Sequence, residues 1–149
     1  YFSITVSTGL EEVTRIFRKP TVTVNYIPIQ QVVSYDHVIS VPKHLVWEES
    51  NQRLSLTEHL NNSYLKSEEY KKAGIIVENL SEQEILEAVI EMEARLNNKW
   101  NVSSQDIQLQ IKFWNIIKAS QGYKKYHGLI HPEARVGTHF LINNPEWLK

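Results

Sequence analysis

Apolar and polar residues alternate from the start of the chain. Phe2, Ile4 and Val6 are separated by Ser3 and Thr5, an aromatic and β-branched pattern that predicts a strand. Ser7-Thr8-Gly9 reads as a turn. Leu10, Val13, Ile16 and Phe17 then recur at helical spacing and predict a helix over residues 10–18. Thr8 and Glu11 fit a capping box at its start. Arg15, Arg18 and Lys19 suit the negative end of its dipole, and Pro20 stops it. Residues 21–27 form a second β-branched run. A strand, helix and strand joined this closely predict a βαβ unit and a parallel sheet.

The pattern beyond is mixed. Residues 31–33 and 37–41 read as short strands or extended loop, and residues 43–53 as a connection. Short helices are expected over 54–62 and 65–72, with Gly74 ending the second. Residues 75–77 suggest a short buried strand. Ser81 and Glu84 form a second capping box, which opens a long helix to about Asn97 with Ile85, Leu86, Val89, Met92 and Leu96 as its stripe. Another helix is expected over 104–119, with Ile107, Ile111, Trp114, Ile116 and Ile117 on its apolar side. Residues 122–132 read as a polar loop. Residues 133–143 read as a last helix packing Phe140, Leu141 and Ile142 inward, before a tail that docks by Trp147. Without repeats, low-complexity tracts or linkers, residues 1–149 read as one Rossmann-like α/β domain with a small parallel sheet and a helix-rich second half.

Composition narrows the partners. A chain of 149 residues can bury a core of its own. Lys and Arg number 16 against 17 Asp and Glu, a formal net charge of -1. That balance argues against a broad nucleic-acid surface but leaves room for a local diphosphate pocket. The absence of cysteine excludes disulfides and thiolate metal sites. No apolar run approaches the roughly 18–20 residues that span a bilayer. No signal peptide is visible, so no transmembrane segment and a cytoplasmic location are expected. The chain starts with Tyr1 inside a strand, so the expectation is a fragment whose missing N-terminal domain carries part of the function.

The first strand–turn–helix is the most informative chemistry. A glycine at such a turn lets a ligand approach the backbone, and free amides at a helix start can meet a phosphate. A carboxylate on the first helical turn can accept hydrogen bonds from ribose hydroxyls, with Glu11 and Glu12 as candidates. The same residues also serve as a plain helix cap. Asn25, at the end of the second strand, is a strand terminator or a contact to sugar or diphosphate. Lys43, in Pro42-Lys43-His44, is a solvated loop residue or a cation that neutralises a departing diphosphate without a metal.

The run from Ser7-Thr8-Gly9-Leu10-Glu11-Glu12 through Phe17-Arg18-Lys19-Pro20 to Asn25 resembles the donor-site βαβ of glycosyltransferases with two Rossmann-like domains, the GT-B fold. It is also similar to the Ser-Gly-Gly-x-x-Glu stretch, followed by a proline and an apolar strand, of UDP-N-acetylglucosamine 2-epimerases. Asn25-Tyr26-Ile27-Pro28, Val41-Pro42-Lys43-His44-Leu45, Glu91-Met92 and Phe140-Leu141-Ile142-Asn143-Asn144 extend the resemblance to a family of bacterial glycosyltransferases linked to surface-carbohydrate synthesis. The resemblance implies a nucleotide-sugar donor as substrate and no further cofactor. Ser7, Thr8 and Gly9 would meet the diphosphate, and Glu11 or Glu12 the ribose. Thr8 stands where the epimerases have their first glycine, and Val13 where they often have a second glutamate.

The acceptor's general base is not evident in this sequence and is expected from the missing domain, so the chain alone is expected to bind weakly or not at all and not to turn over. Competing readings are a sugar-nucleotide epimerase-like domain and a non-catalytic Rossmann-like interaction module. His127, His131 and His139 do not make a metal set, because Gly128 and Pro132 interrupt any shared helix. Trp47, Trp100, Trp114 and Trp147 read as packing residues, and Glu91 as part of a solvated helix face or of a charged pair along its helix.

Overall fold

The computed structural model describes every residue except Ser7, Thr8 and Leu10, and only the backbone of Glu11. Four strands form an all-parallel sheet: β1 (Ser3–Val6), β2 (Thr21–Tyr26), β3 (Val38–Pro42) and β6 (Ala134–Val136), side by side in that order. Two more, β4 (His44–Trp47) and β5 (Ile75–Glu78), pair antiparallel in a separate ribbon. The helices are α1 (Glu11–Ile16), α2 (Leu56–Asn61), α3 (Ser67–Lys72), α4 (Glu82–Leu96), α5 (Ser104–Ala119), α6 (Tyr123–Tyr126) and α7 (Thr138–Asn143). Among the described residues, no helix is long and apolar enough to cross a membrane.

The expected β1–α1–β2 unit is present and parallel, with Ser3 opposite Thr21 and Val6 opposite Val24. The helix is shorter than its sequence pattern. It ends at Ile16, because Arg18 turns left-handed (φ 49°) and the Lys19 N–H closes back on the Thr14 carbonyl at 3.0 Å. The Thr8–Glu11 capping box lies outside the described residues. Val13, Ile16 and Phe17 are exposed, and so are Ile4 and Val6 on β1, the outer strand of the sheet. The apolar spacing of α1 therefore does not mark a buried face.

β2 and β3 form the centre, and β3 is buried along its whole length. α4 packs on both strands. Val22, Val24, Val38, Ile39, Val41, Met92, Phe113, Ile117, Val136 and Leu141 make one continuous core. The segment expected to be a connection after Lys43 is instead β4, which pairs with β5 at Leu45–Val77 and encloses Leu45, Leu54, Tyr70 and Ile75 in a second, smaller cluster. That pairing joins residues about thirty positions apart, beyond the reach of a local periodicity signal.

The last expected helix splits in two. Ala134–Val136 is the fourth parallel strand, and only Thr138–Asn143 is helical. Phe140 and Leu141 are buried, while Ile142 is partly exposed. β6 would end the sheet with an open edge, but α5 covers it. Gln110 donates to the Val136 carbonyl at 2.6 Å and accepts from the Val136 N–H at 3.1 Å, and the Trp114 indole donates to the Ala134 carbonyl at 3.2 Å. Gln110 thus supplies the donor and acceptor of a missing neighbouring strand. This explains why the buried face of α5 is Asp106, Gln110, Phe113, Trp114 and Ile117, while Ile107 and Ile111 are about half exposed.

Glu91 makes the expected pair along α4, with Arg95, but it is not on a solvated face, since it is fully buried. Its carboxylate accepts from the Thr138 N–H at 2.7 Å and lies 2.9 Å from the Thr138 hydroxyl, so it caps α7. Arg95 bridges Glu91 and Asp106 at 2.8 and 2.9 Å, and Arg135 adds a cation 3.6 Å from Asp106. Burial pushes the Asp106 carboxyl up, but the bonds from Thr138 and Arg95 and the charges of Arg135 and Arg95 hold it below its ordinary value. This closed network ties α4, α5, β6 and α7 together.

Candidate functional site

In an open parallel sheet the ligand side is the edge where the strands reach their carboxyl ends. Here that edge carries the turn after β1, Asn25 near the end of β2, Lys43 after β3, and Gly137 after β6.

At the first turn, Gly9 has φ 89°, a left-handed conformation that favours glycine, and its carbonyl accepts from the Glu12 N–H at 3.2 Å. A Cβ built there meets nothing within 4 Å, so the glycine serves the backbone angle and not clearance from its own protein. Ser7 and Thr8 lie outside the described residues, as does the side chain of Glu11. Glu12 is exposed and pairs with Arg15. α1 is six residues long and offers only a weak dipole to an anion.

Asn25 and Lys43 meet a common neighbour. Asn25 is left-handed (φ 55°) at the irregularity where the β2–β3 register shifts, and its side-chain carbonyl accepts from the Leu80 N–H at 2.8 Å. Lys43 donates to the Asn79 side chain at 2.8 Å. The segment entering α4 therefore holds both. Asn25 lies inside β2, which runs on to Tyr26, and acts here as a bulge residue and an anchor for that segment. Among the described side chains, no direct hydrogen bond or ion pair links Glu12 to Asn25 or Lys43.

His44 follows Lys43 and turns into the protein. It is buried, stacks on Phe140 (5.5 Å between centroids), and its Nε2 lies 2.7 Å from Glu84. Glu84 is the capping-box carboxylate of α4, bonded to the Ser81 N–H at 2.8 Å and the Ser81 hydroxyl at 2.7 Å. Burial raises the Glu84 carboxyl, yet those bonds and His44 hold it below its ordinary value. One residue thus serves both a helix cap and an imidazole.

Beside His44 lies a cavity of about 480 Å³, lined also by Leu45, Arg53, Leu54, His59 and Trp147. Small-molecule sites usually occupy about 300–1,000 Å³. α2 is positioned by the Ser55–Glu58 capping box, with Leu56 and His59 on its buried face. His59 packs edge-on against Trp147 at 5.7 Å between centroids. Burial, with the nearby His44, pushes the His59 imidazole down to about 3, so it stays neutral near pH 7. The Nδ1 of His59 and the Nε1 of Trp147 are both enclosed and have no hydrogen-bond partner.

The docking of Trp147 was legible in the sequence, but the placement of His59 and Arg53 at the cavity was not. The only local signal was Ser55-Leu56-Thr57-Glu58, which marks a helix start but not what the helix faces.

Of the other histidines, His127 is buried, His37 and His131 are half-buried and His139 is exposed. His127 bonds Ser34 and the Gln30 carbonyl, both at 2.9 Å, His131 stacks on His37, and His139 lies edge-on to Trp100. Among the described residues, no three His, Asp or Glu side chains group as metal ligands. Comparison with protein-family models, with curated proteins and with solved structures gives no match to this chain.

Proposed function

We propose that the chain is the nucleotide-sugar-binding domain of a glycosyltransferase of bacterial surface-carbohydrate synthesis. The observation that supports this most is the parallel β1–α1–β2 unit with left-handed Gly9 directly beyond the carboxyl end of β1. A diphosphate meets the backbone at this turn, and Lys43 supplies a cation on the same edge of the sheet. Ser7 and Thr8 flank the diphosphate, and Glu11 or Glu12 takes the ribose. Exposed Ile4, Val6, Val13, Ile16 and Phe17 offer an apolar surface of the kind a second domain covers, and that domain supplies the acceptor and the base.

Titration with uridine diphosphate and guanosine diphosphate, followed by backbone amide NMR, tests the reading. One nucleotide is expected to shift the amides of Gly9, Glu12 and Lys43 saturably. Gly9→Val, which cannot hold φ 89° without strain, is expected to weaken that response at least tenfold while leaving the core signals in place. Amides that stay still with both nucleotides, or full affinity in the Gly9→Val variant, overturn it.

A further inference from the structure

The cavity beside His44 carries its own chemistry, separate from the turn at Gly9. Its walls come from two units brought together by the fold: Leu45, Arg53, Leu54 and His59 from the β4–α2 region, and Trp147 from the C-terminal turn. Leu45, Leu54 and Trp147 make part of the lining apolar, suited to the C–H face of a ring.

Two residues of the lining, His59 and Trp147, each carry an enclosed polar atom without a partner, Nδ1 and Nε1. A buried polar group left without a partner typically costs about 1–3 kcal/mol, so a ligand that supplies oxygens to both recovers that cost. Indole N–H only donates, and a neutral imidazole nitrogen donates or accepts, so hydroxyl oxygens match the pair.

Charge selects further. Glu146 at the rim is paired with Lys149, and Glu84 behind the wall is engaged by His44. Arg53 is exposed and bonded at 2.6 Å to neutral Asn144, and among the described residues it forms no ion pair with a carboxylate. A guanidinium so placed favours a carboxylate or phosphate.

We propose that this cavity binds a small hydroxylated anion, a sugar acid or sugar phosphate, with the anionic group on Arg53 and hydroxyl oxygens on Trp147 Nε1 and His59 Nδ1. The proposal shares no residue with the nucleotide reading and stands or falls separately.

The test follows the Trp147 indole N–H signal during titration with glucuronate, glucose 6-phosphate and neutral glucose. One anion is expected to shift it saturably with Kd at or below about 1 mM, and glucose to bind at least tenfold more weakly. Whichever anion binds more tightly identifies the anionic group as carboxylate or phosphate. Arg53→Gln removes an exposed charge, so the fold is kept, and it is expected to weaken the anion at least tenfold. His59→Leu is expected to lose the response, with the other indole signals unchanged. An indole that stays still with both anions at about 10 mM overturns the proposal. So does glucose binding as tightly as the anions, or an Arg53→Gln variant with undiminished affinity. Shifts at Gly9 and Lys43 with nucleotides report on the other site alone.

Discussion

Replacing His59 by leucine is expected to make the protein less sensitive to acid. In the folded chain, burial and the neighbouring His44 hold the His59 imidazole at about 3, against 6.5 in the free side chain. The folded value is depressed, so the stability tied to a neutral His59 is fully present above pH 6.5. It is lost as pH falls from 6.5 toward 3, because only the unfolded chain takes up the proton. Each pH unit below 6.5 costs about 1.4 kcal/mol, so going from pH 7 to pH 5 costs about 2 kcal/mol. At pH 5 the folded form is still neutral, so this figure depends on the unfolded imidazole and not on the depth of the shift. Leucine fills a similar volume and removes the unpartnered Nδ1, so at pH 7 the variant is expected within about 1 kcal/mol of the parent. Urea unfolding followed by tryptophan fluorescence at pH 7 and pH 5 measures both. His37 and His127, also held below their ordinary value by burial, and the depressed carboxylates of Glu84 and Asp106 are present in both proteins and cancel in the difference. Against the upward push of burial, Glu58 is held down mainly by its bonds to Ser55 and Trp47, with His59 the smallest cause, so it nearly cancels too. The stability gap is expected to move by about 2 kcal/mol in favour of the variant. A gap that moves by less than about 0.5 kcal/mol would refute the claim that His59 is buried neutral.

Two further substitutions probe the frame. Glu91→Ala leaves the Thr138 N–H uncapped and Arg95 buried with half its partners, so a loss of about 3–5 kcal/mol in urea unfolding is expected; a surface-like loss contradicts the network described above. Ser81→Ala removes the hydroxyl that accepts from the Glu84 N–H, and is expected to cost about 1 kcal/mol. Because Glu84 also holds His44, the Ser81→Ala change should move the His44 ring signals in NMR as well, and unmoved signals would separate the cap from the imidazole.

What the sequence determined by itself is local. A cap is written within four residues, so Ser81 and Glu84 announced the start of α4, and α5 runs over the expected residues 104–119. The β-branched runs on either side of Pro20 gave the parallel β1–β2 pair, because a short connection through a helix leaves little other choice. Facing was decided elsewhere. Ile107 and Ile111 look like a core stripe, yet Asp106 and Gln110 take the inside of α5, since burying them satisfies Arg95 and the open edge of β6. Ala134–Val136 reads as helix beside Phe140 and Leu141, and becomes a strand because β3 offers a free ladder for it. Glu91 reads as a solvated charge or a partner along its own helix; it does pair with Arg95, and it also caps a helix that starts 47 residues later. The cavity is likewise a product of distance in sequence, since His59 meets Trp147 only when the C-terminal turn packs on α2. Periodicity and caps register neighbours along the chain, whereas burial, partner choice and the His59 environment depend on which distant groups the fold sets beside them.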